Sequence, residues 1–319
     1  MNFEIFTLCS NNYLAHAKTM LDSVRKVHPE SNLIIGLVDR RDPGIDYSSL
    51  GDFEILDQES IGCQFFPEML QRYDVVEFNT AVKPFYIEFL LKRSGNGSML
   101  IYLDPDIFVY QPLDNIIERL KQFSIIITPN LINLSAEVTT GELASLRHGM
   151  FNLGFIAVRN TNDAMVFLKW WQNRLKEYCL IKKASGLFVD QKWIDLAPLY
   201  FNDIHILREP GYNMAWWNFS ERKLLYSEGQ YQVNDIATML YFFHFSGFSP
   251  LIPRLTSRLE RAQEISVEQE HILNNLFRNY SEKLILNGYK FYSSRKPLLI
   301  FHTRKQKSFL QRLVIRLRR

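Results

Sequence analysis

The sequence predicts an α/β protein in which helices cover both faces of a mostly parallel sheet. Short apolar runs alternate with amphipathic stretches, as expected of a doubly wound sheet whose strands are buried on both sides. Polar residues follow the apolar runs, where such sheets bind ligands. The 319 residues are 47% hydrophobic and 22% charged, which excludes a disordered or fibrous chain.

The first third of the chain contains three predicted strands and two predicted helices. Apolar runs predict strands in NFEIFTLC, NLIIGLVD and MLIYLD. Amphipathic periodicity predicts helices in AHAKTMLDSVRKVH and in VKPFYIEFLLKRS, which begins at Pro84. Candidate ligand-binding residues therefore lie at Cys9 to Tyr13, at Asp39 and at Asp104 to Asp106.

The rest of the chain is less regular. SIIITPN and FNLGFIAVRN predict strands, DAMVFLKWWQNRLKEYC predicts a helix, and DIHILREPGYNMAWWN predicts a strand that runs into a turn. The charged stretch SRLERAQEISVEQEHILNNLFRNYSEKLILNGY predicts a C-terminal helical appendage. No internal repeat is visible, so we expect one large domain over residues 1–255, a helical extension over 256–294 and a basic tail over 295–319.

Charge and cysteine content narrow the function classes. Residues 295–319 carry nine Lys or Arg and no acid, which leaves 28 basic and 34 acidic residues in the rest of the chain. An acidic body argues against a nucleic-acid-binding protein. The three cysteines, Cys9, Cys63 and Cys179, favour reduced thiols. The chain lacks both a long apolar span and a signal-peptide pattern at its start, so we expect a cytoplasmic protein.

The motif LIYLDPDIFVY places two carboxylates at the end of a predicted strand. Asp104 and Asp106 are two residues apart, so both side chains project to one side, with Pro105 stiffening the backbone between them. Paired carboxylates are oxygen donors of the kind that Mn²⁺ or Mg²⁺ prefers. An Asx-stabilised turn is the alternative explanation.

The motif YFFHFSGF adds an imidazole. His244 follows an aromatic strand and precedes Ser246 and Gly247, whose backbone N–H groups can approach phosphate oxygens closely. A core histidine that bonds to the backbone is the alternative. Together with Asp104 and Asp106, His244 completes a donor set suited to Mn²⁺.

Several motifs, in this order, resemble those of a known family over residues 1–250. They are TLCSNNYL, NTAVKPFYIEFLL, LIYLDPDIFVY, MFNLGFIAVRN, LFVDQKWIDLAP, EPGYNMAWWN and FFHFSG. The chain resembles nucleotide-sugar glycosyltransferases of the GT-A fold, a Rossmann-like α/β fold. Within that fold it is most similar to glycosyltransferase family 8 and to bacterial transferases that build lipopolysaccharide and capsule. The resemblance implies metal-dependent sugar transfer from a nucleotide-diphosphate donor, a UDP-sugar, to a saccharide or lipid-linked saccharide.

The resemblance also implies residue roles. Asp104, Asp106 and His244 match the metal ligands, and Asp190 with Gln191 match a pair close to the anomeric carbon. The remaining matches are Asn12 and Tyr13 at the base and ribose, Lys83 at the nucleotide or its phosphates, and Asn152 and Gly154 along the donor sugar. Structural alternatives are a packed loop aromatic for Tyr13, a surface lysine for Lys83, a turn former for Asn152 and a helix N-cap for Asp190.

One departure from the family bears on the chemistry. The family usually has Gly-x-x-Lys-Pro-Trp after its histidine, where the Lys binds the diphosphate, whereas here HFSG continues into FSP. Arg254 or Lys83 are the candidate replacements. The resemblance implies a retaining enzyme, and an inverting enzyme that uses Asp190 as its base remains an alternative. A metal-dependent phosphohydrolase and a non-catalytic nucleotide- or carbohydrate-binding module are the competing functions.

The tail predicts a membrane contact. In SFLQRLVIRLRR, apolar residues recur at helical spacing and arginines fall between them. Such a helix binds anionic lipid surfaces, at about 1 kcal/mol per basic residue. We therefore expect a peripheral protein at the inner face of the cell membrane, the alternatives being a solvated basic end or a helix packed on the body.

Overall fold

The computed structural model describes residues 3–251 and 266–301. Its strands are β1 Phe3–Cys9, β2 Asn32–Leu37, β3 Glu54–Asp57, β4 Met99–Leu103, β5 Ile107–Val109, β6 Ile125–Pro129, β7 Phe151–Arg159, β8 Ile181–Lys182, β9 Leu187–Phe188, β10 Ile204–Ile206, β11 Leu224–Ser227, β12 Gln230–Val233 and β13 Phe242–His244. Its helices are α1 Leu14–Val27, α2 Phe66–Arg72, α3 Val75–Ala81, α4 Lys83–Ser94, α5 Asp114–Leu120, α6 Thr140–His148, α7 Asn162–Tyr178, α8 Gln191–Ile194, α9 Ala197–Tyr200, α10 Val267–Leu286 and α11 Tyr289–Tyr292.

Seven strands form the central sheet, in the order β10-β6-β7-β4-β1-β2-β3. Four of the six neighbouring pairs are parallel, and β7 runs antiparallel to both β4 and β6. All five residues of β4 are buried, which explains why this strand reads as an uninterrupted apolar run. The predicted mostly parallel α/β sheet is confirmed.

Helices pack on both faces of the sheet because its strand residues alternate between two cores. Leu100 and Tyr102 of β4 face a core that contains residues of α2, α3, α4, α7 and α8. Met99, Ile101 and Leu103 face the opposite core, which contains residues of α1 and α5. The two layers leave the carboxyl ends of β1 and β4 at one edge, where polar residues follow them.

A small antiparallel ribbon, β5 with β13, extends from the sheet at that edge. The pairing sets His244 opposite Ile107, the residue after Asp106. Helix α10 covers the ribbon through a third core, in which the ring of Tyr280 stacks on Phe245 with 3.8 Å between ring centroids. The predicted C-terminal helix therefore supports the ribbon that carries His244.

The described residues bear on two other predictions. Cys9 and Cys179 are buried, Cys63 is half-buried, and all three are free thiols. Of the helices that the structure describes, none has the length and apolar character to span a membrane. Arg254 and the tail residues from 302 onward, with the predicted amphipathic helix, lie outside the described residues.

Candidate active site

A cavity of about 810 Å³ lies at the carboxyl edge of the sheet. Nine of the twelve predicted site residues line it: Lys83, Asp104, Asp106, Asn152, Gly154, Asp190, Gln191, His244 and Ser246. Asn12, Tyr13 and Gly247 do not belong to its wall. Residues from widely separated parts of the sequence therefore meet in one cavity.

Asp104, Asp106 and His244 form a compact cluster in the cavity wall, which we call the cation cluster. One ligand atom from each lies within 4.8 Å of the others. His244 Nε2 is 3.0 Å from Asp106 Oδ1 and 3.8 Å from Asp104 Oδ2. Burial lowers the pKa of His244, but the charge and hydrogen bond of Asp106 outweigh it and raise the pKa above its usual range. Two carboxylates and one imidazole are a donor set suited to a divalent cation such as Mn²⁺.

Gly154 is the residue that lets the imidazole of His244 occupy this position. A Cβ at position 154 would lie 2.4 Å from His244 Cε1 and 2.7 Å from its Nδ1. The carbonyl oxygen of Gly154 accepts a hydrogen bond of 2.7 Å from the backbone N–H of Asp104. Gly154 thus lies against His244 and is hydrogen-bonded to Asp104. A larger residue at this position would collide with the imidazole, a steric reason for glycine that the sequence alone does not reveal.

Lys83 is buried and holds Asp190 by a direct ion pair. Its Nζ lies 2.6 Å from Asp190 Oδ2 and 4.0 Å from Asp104 Oδ1, and it donates a 2.7 Å hydrogen bond to the carbonyl of Leu153. Lys83 and Asp190 are 1% and 2% exposed, so Lys83 is not a surface lysine. Burial raises the pKa of Asp190, and the charge of Lys83 opposes that rise. The ammonium group of Lys83 is therefore already paired within the protein.

Tyr102 orients Asp104. Its hydroxyl donates a 2.5 Å hydrogen bond to Asp104 Oδ1, and the Lys83 ammonium lies 4.5 Å from the centre of its ring. This contact occupies one oxygen of Asp104, while Oδ2 is the oxygen nearer His244. Tyr102 was not predicted as a site residue, because its place in an apolar strand indicates core packing.

Asn152 and Gln191 present amide groups to the cavity. Asn152 Oδ1 accepts hydrogen bonds from Gly154 N and from Asn213 Nδ2, both at 3.1 Å. Within the described part of the chain its Nδ2 has no partner. Gln191 Nε2 donates to the carbonyl of His148 at 3.0 Å, which leaves its Oε1 free of partners among the described residues. In each amide, one polar atom is therefore held by a hydrogen bond, and the other is available to a ligand.

Asp190 precedes α8 without capping it. It occupies the N-cap position, but its side chain makes no capping hydrogen bond, because the carboxylate is bound to Lys83. The alternative of a helix N-cap is therefore wrong.

The predicted base-binding loop lies beside the cavity wall. Tyr13 is 41% exposed and stacks on His16 with 4.5 Å between ring centroids. Burial and the charge of Asp106 raise the pKa of Tyr13 to about 12, so its hydroxyl stays protonated. Asn12 is half-buried, whereas its neighbour Asn11 is fully buried and donates to Asp39 at 3.0 Å. Tyr13 is therefore an exposed aromatic side chain beside the cavity.

The turn after His244 contains a glycine in the left-handed region of backbone conformation. Gly247 has a φ of +72°, which favours glycine, and Phe248 N donates to the carbonyl of Phe245 at 2.9 Å. Ser246 lines the cavity, as do Trp216 and Trp217, two residues of the EPGYNMAWWN motif with no predicted role. Aromatic clusters in a sequence are usually core residues, although sugar sites also use them, so the AWW cluster alone does not predict a place in this wall.

No protein-family model matches the chain. Two curated proteins of Bacillus subtilis strain 168 are similar to it. The uncharacterized protein YfnF is 22% identical over 244 residues, with 76% of this chain and 80% of YfnF covered. The uncharacterized protein YfnD is 24% identical over 175 residues, with 54% of each chain covered. Neither relative has an assigned activity.

Solved structures similar to this chain include glycosyltransferases. The galactosyltransferase LgtC in complex with donor and acceptor sugar analogs is 14% identical with a TM-score of 0.45, covering 86% of this chain and 95% of LgtC. The bifunctional WbbM is 13% identical with a TM-score of 0.47, covering 90% of this chain and 51% of WbbM. A glycosyltransferase involved in the glycosylation of the major capsid of PBCV-1 is 10% identical with a TM-score of 0.43, covering 78% of this chain and 95% of that one. Similarity at this level does not assign an activity to this chain.

Proposed function

We propose that this chain is a metal-dependent glycosyltransferase of the GT-A fold. It moves a sugar from a nucleotide-diphosphate donor, a UDP-sugar, to a saccharide or lipid-linked saccharide in the synthesis of a cell-surface polysaccharide. The observation that carries the proposal is that Asp104, Asp106 and His244 share one cavity with the open amides of Asn152 and Gln191. A cation site beside amides that can bind hydroxyl groups suits a substrate that joins a diphosphate to a sugar.

Asp104, Asp106 and His244 fit a divalent cation. The two carboxylates are the oxygen donors that Mn²⁺ and Mg²⁺ prefer, and an imidazole favours Mn²⁺ of the two. The absence of a Cβ at Gly154 leaves room for the imidazole, whose Nε2 lies 3.0 Å from Asp106 Oδ1. The three side chains would hold Mn²⁺ or Mg²⁺, which when bound would supply Lewis-acid stabilisation of the leaving diphosphate.

The uncommitted amides support binding of the donor sugar. Asn152 has its Oδ1 engaged by Gly154 and Asn213, so its Nδ2 is the group available to a sugar oxygen. Gln191 is anchored through His148, which leaves its Oε1 for the region of the anomeric carbon. Both side chains are held in place before substrate binds, which lowers the cost of orienting them.

The state of Asp190 favours transfer with retention over inversion. In transfer, the bond between the anomeric carbon and the diphosphate oxygen breaks, and its electron pair leaves with the nucleoside diphosphate. The acceptor hydroxyl oxygen forms the new bond to the anomeric carbon and gives up its proton. An inverting enzyme needs a carboxylate that is free to take the acceptor proton. The Asp190 carboxylate is bound to Lys83 at 2.6 Å and is 2% exposed. We therefore assign the acceptor proton to the leaving phosphate and give Asp190 a positioning role.

Residues of the first loop and of the tail bear on the nucleotide, the acceptor and the location of the protein. Tyr13 is an exposed aromatic side chain suited to stacking on a base, and Asn12 lies next to it. The resemblance to lipopolysaccharide and capsule transferases and the basic residues of 304–319 support a lipid-linked acceptor at an anionic membrane surface.

A binding panel followed by a turnover assay tests the proposal. Nucleoside diphosphates and nucleotide sugars are screened by thermal shift with and without Mn²⁺, and the best donor is then assayed for transfer. Asp106→Asn should nearly abolish transfer and leave the melting temperature unchanged, because the neutral amide weakens the cation site without a change in volume.

Three outcomes would contradict the proposal. Full turnover of the wild type in chelator would exclude the metal role. Hydrolysis of unrelated phosphoesters without sugar transfer would indicate a phosphohydrolase. Binding of nucleotide sugars without turnover on any acceptor would indicate a binding module.

A further inference from the structure

Two tryptophans that line the cavity have indole N–H groups without a hydrogen-bond partner among the described residues. The Nε1 atoms of Trp216 and Trp217 are both buried and unpaired within the described residues. Trp171 and Trp193, by contrast, donate to the carbonyls of Asp190 and Tyr178. Buried polar groups are nearly always paired in native proteins, so an unpaired one in a cavity wall points to a ligand that supplies the acceptor.

Both tryptophans lie close to the cation cluster. The ring of Trp217 meets His244 edge-on with 5.2 Å between centroids, and the ring of Trp216 lies 5.7 Å from that of Trp217. Ser246 lines the same cavity. A ligand that contacts the cation cluster therefore brings its oxygens near these indoles.

Cations are scarce beside His244. The first basic residue after it in the sequence is Arg254, which lies outside the described residues. Lys83 is held by Asp190. Lys183, also in the cavity wall, lies over the ring of Phe188 at 5.3 Å. A diphosphate at the cluster thus needs hydrogen-bond donors of another kind.

We infer that Trp216 and Trp217 bind the leaving diphosphate through their indole N–H groups, as neutral donors in place of a lysine. An indole N–H only donates, so it requires an acceptor-rich partner, and phosphate oxygens are the strongest acceptors of the donor substrate. Fixed N–H donors in a cavity stabilise charge as it develops on a leaving group. This inference rests on the proposed function.

Phenylalanine substitutions test the inference because they keep an aromatic ring and remove the N–H. Trp216→Phe, Trp217→Phe and the double variant are titrated with UDP in Mn²⁺ by calorimetry, or with whichever of ADP, CDP and GDP the wild type binds most tightly. We expect each single variant to bind the diphosphate about tenfold more weakly, which is about 1.4 kcal/mol, and to bind the parent nucleoside unchanged. Trp193→Phe is the matched control, since its N–H already has a partner, and should leave diphosphate affinity unchanged.

Several results would overturn the inference. Diphosphate affinities of the tryptophan variants within about twofold of wild type would exclude an indole contact. An equal loss for diphosphate and nucleoside would indicate a structural role. A loss confined to the nucleotide sugar would assign the N–H groups to sugar hydroxyls, and a loss in Lys183→Met alone would assign the diphosphate to that lysine. A wild type that binds no nucleoside diphosphate would overturn the proposed function as well.

Discussion

Gly154→Ala should damage the cation site although all three proposed ligand residues are retained. The new Cβ would lie 2.4 Å from His244 Cε1, whereas carbon atoms pack at about 3.5–4.0 Å, so the imidazole must retreat by about 1 Å. A binding constellation tolerates displacements of about 0.5 Å. We expect Mn²⁺ affinity to fall about 10- to 100-fold and the free energy of unfolding to fall by about 1–3 kcal/mol.

The assay is Mn²⁺ binding to metal-stripped protein by calorimetry, with thermal unfolding measured in parallel. Gly141→Ala is the matched control, because Gly141 also lines the cavity but the nearest neighbour of its added Cβ would be the flexible end of Leu131, at 3.1 Å. It should retain wild-type Mn²⁺ affinity.

A double-mutant cycle then tests the route of the effect. If Gly154→Ala acts through the imidazole, it should change Mn²⁺ affinity little in a His244→Ala background. Wild-type affinity in Gly154→Ala, or full additivity with His244→Ala, would refute the reasoning.

Three further predictions follow from the site and the tail. Lys83→Met should lower the free energy of unfolding by about 3–5 kcal/mol in chemical denaturation, because it leaves the Asp190 carboxylate buried without a counter-charge. Adding Asp190→Asn should restore part of that loss, and a single-variant loss below about 0.5 kcal/mol would contradict the buried pair. Gln191→Ala should slow transfer with little change in nucleoside-diphosphate affinity, and Tyr13→Ala should do the reverse; calorimetry beside initial rates checks both, and the opposite pattern would contradict the placement. Deleting residues 304–319 should release the protein from anionic liposomes and preserve transfer to a soluble acceptor, and co-sedimentation equal to full length would exclude the membrane contact.

The sequence predicted the sheet because its strands are buried on both faces. A run such as MLIYL has no polar interruption, so its burial and its end at Asp104 are visible without a structure. The direction of β7 was not predictable in this way, since periodicity is the same for parallel and antiparallel strands. The edge strand β3 was missed for a related reason, because EILD is only partly buried and carries acids at both ends.

Some missed helices did carry a local signal. Helix α3 begins with a capping box between Asp74 and Glu77, and α6 begins with one between Thr139 and Glu142. Both follow the spacing of an N-cap residue with Glu three positions later, which is readable in the sequence. Apolar periodicity alone did not reveal them because few of their residues are buried.

The burial of Lys83 could not be predicted from the residues near it in the sequence. A lysine at a helix start is usually exposed, and nothing near it in sequence indicates burial. Its partner Asp190 lies 107 residues away, and the two meet only when α4 and the start of α8 pack together. The position of Trp216 and Trp217 in the cavity wall was equally beyond local prediction, because their aromatic side chains fit a core position as well as a cavity wall.

Hydrogen bonds between distant chain segments fix the geometry of the cation cluster. Asp106 O accepts from Phe245 N at 2.8 Å, and His244 N donates to Met214 O at 2.8 Å, so the cluster depends on the β5–β13 ribbon staying closed. That ribbon is covered by α10 through the stacked rings of Phe245 and Tyr280. Opening it would expose the aromatic core beneath α10, which costs about 1.5–3 kcal/mol for each large apolar side chain. The C-terminal helix, which looks like an appendage in the sequence, therefore supports the precision of the candidate active site.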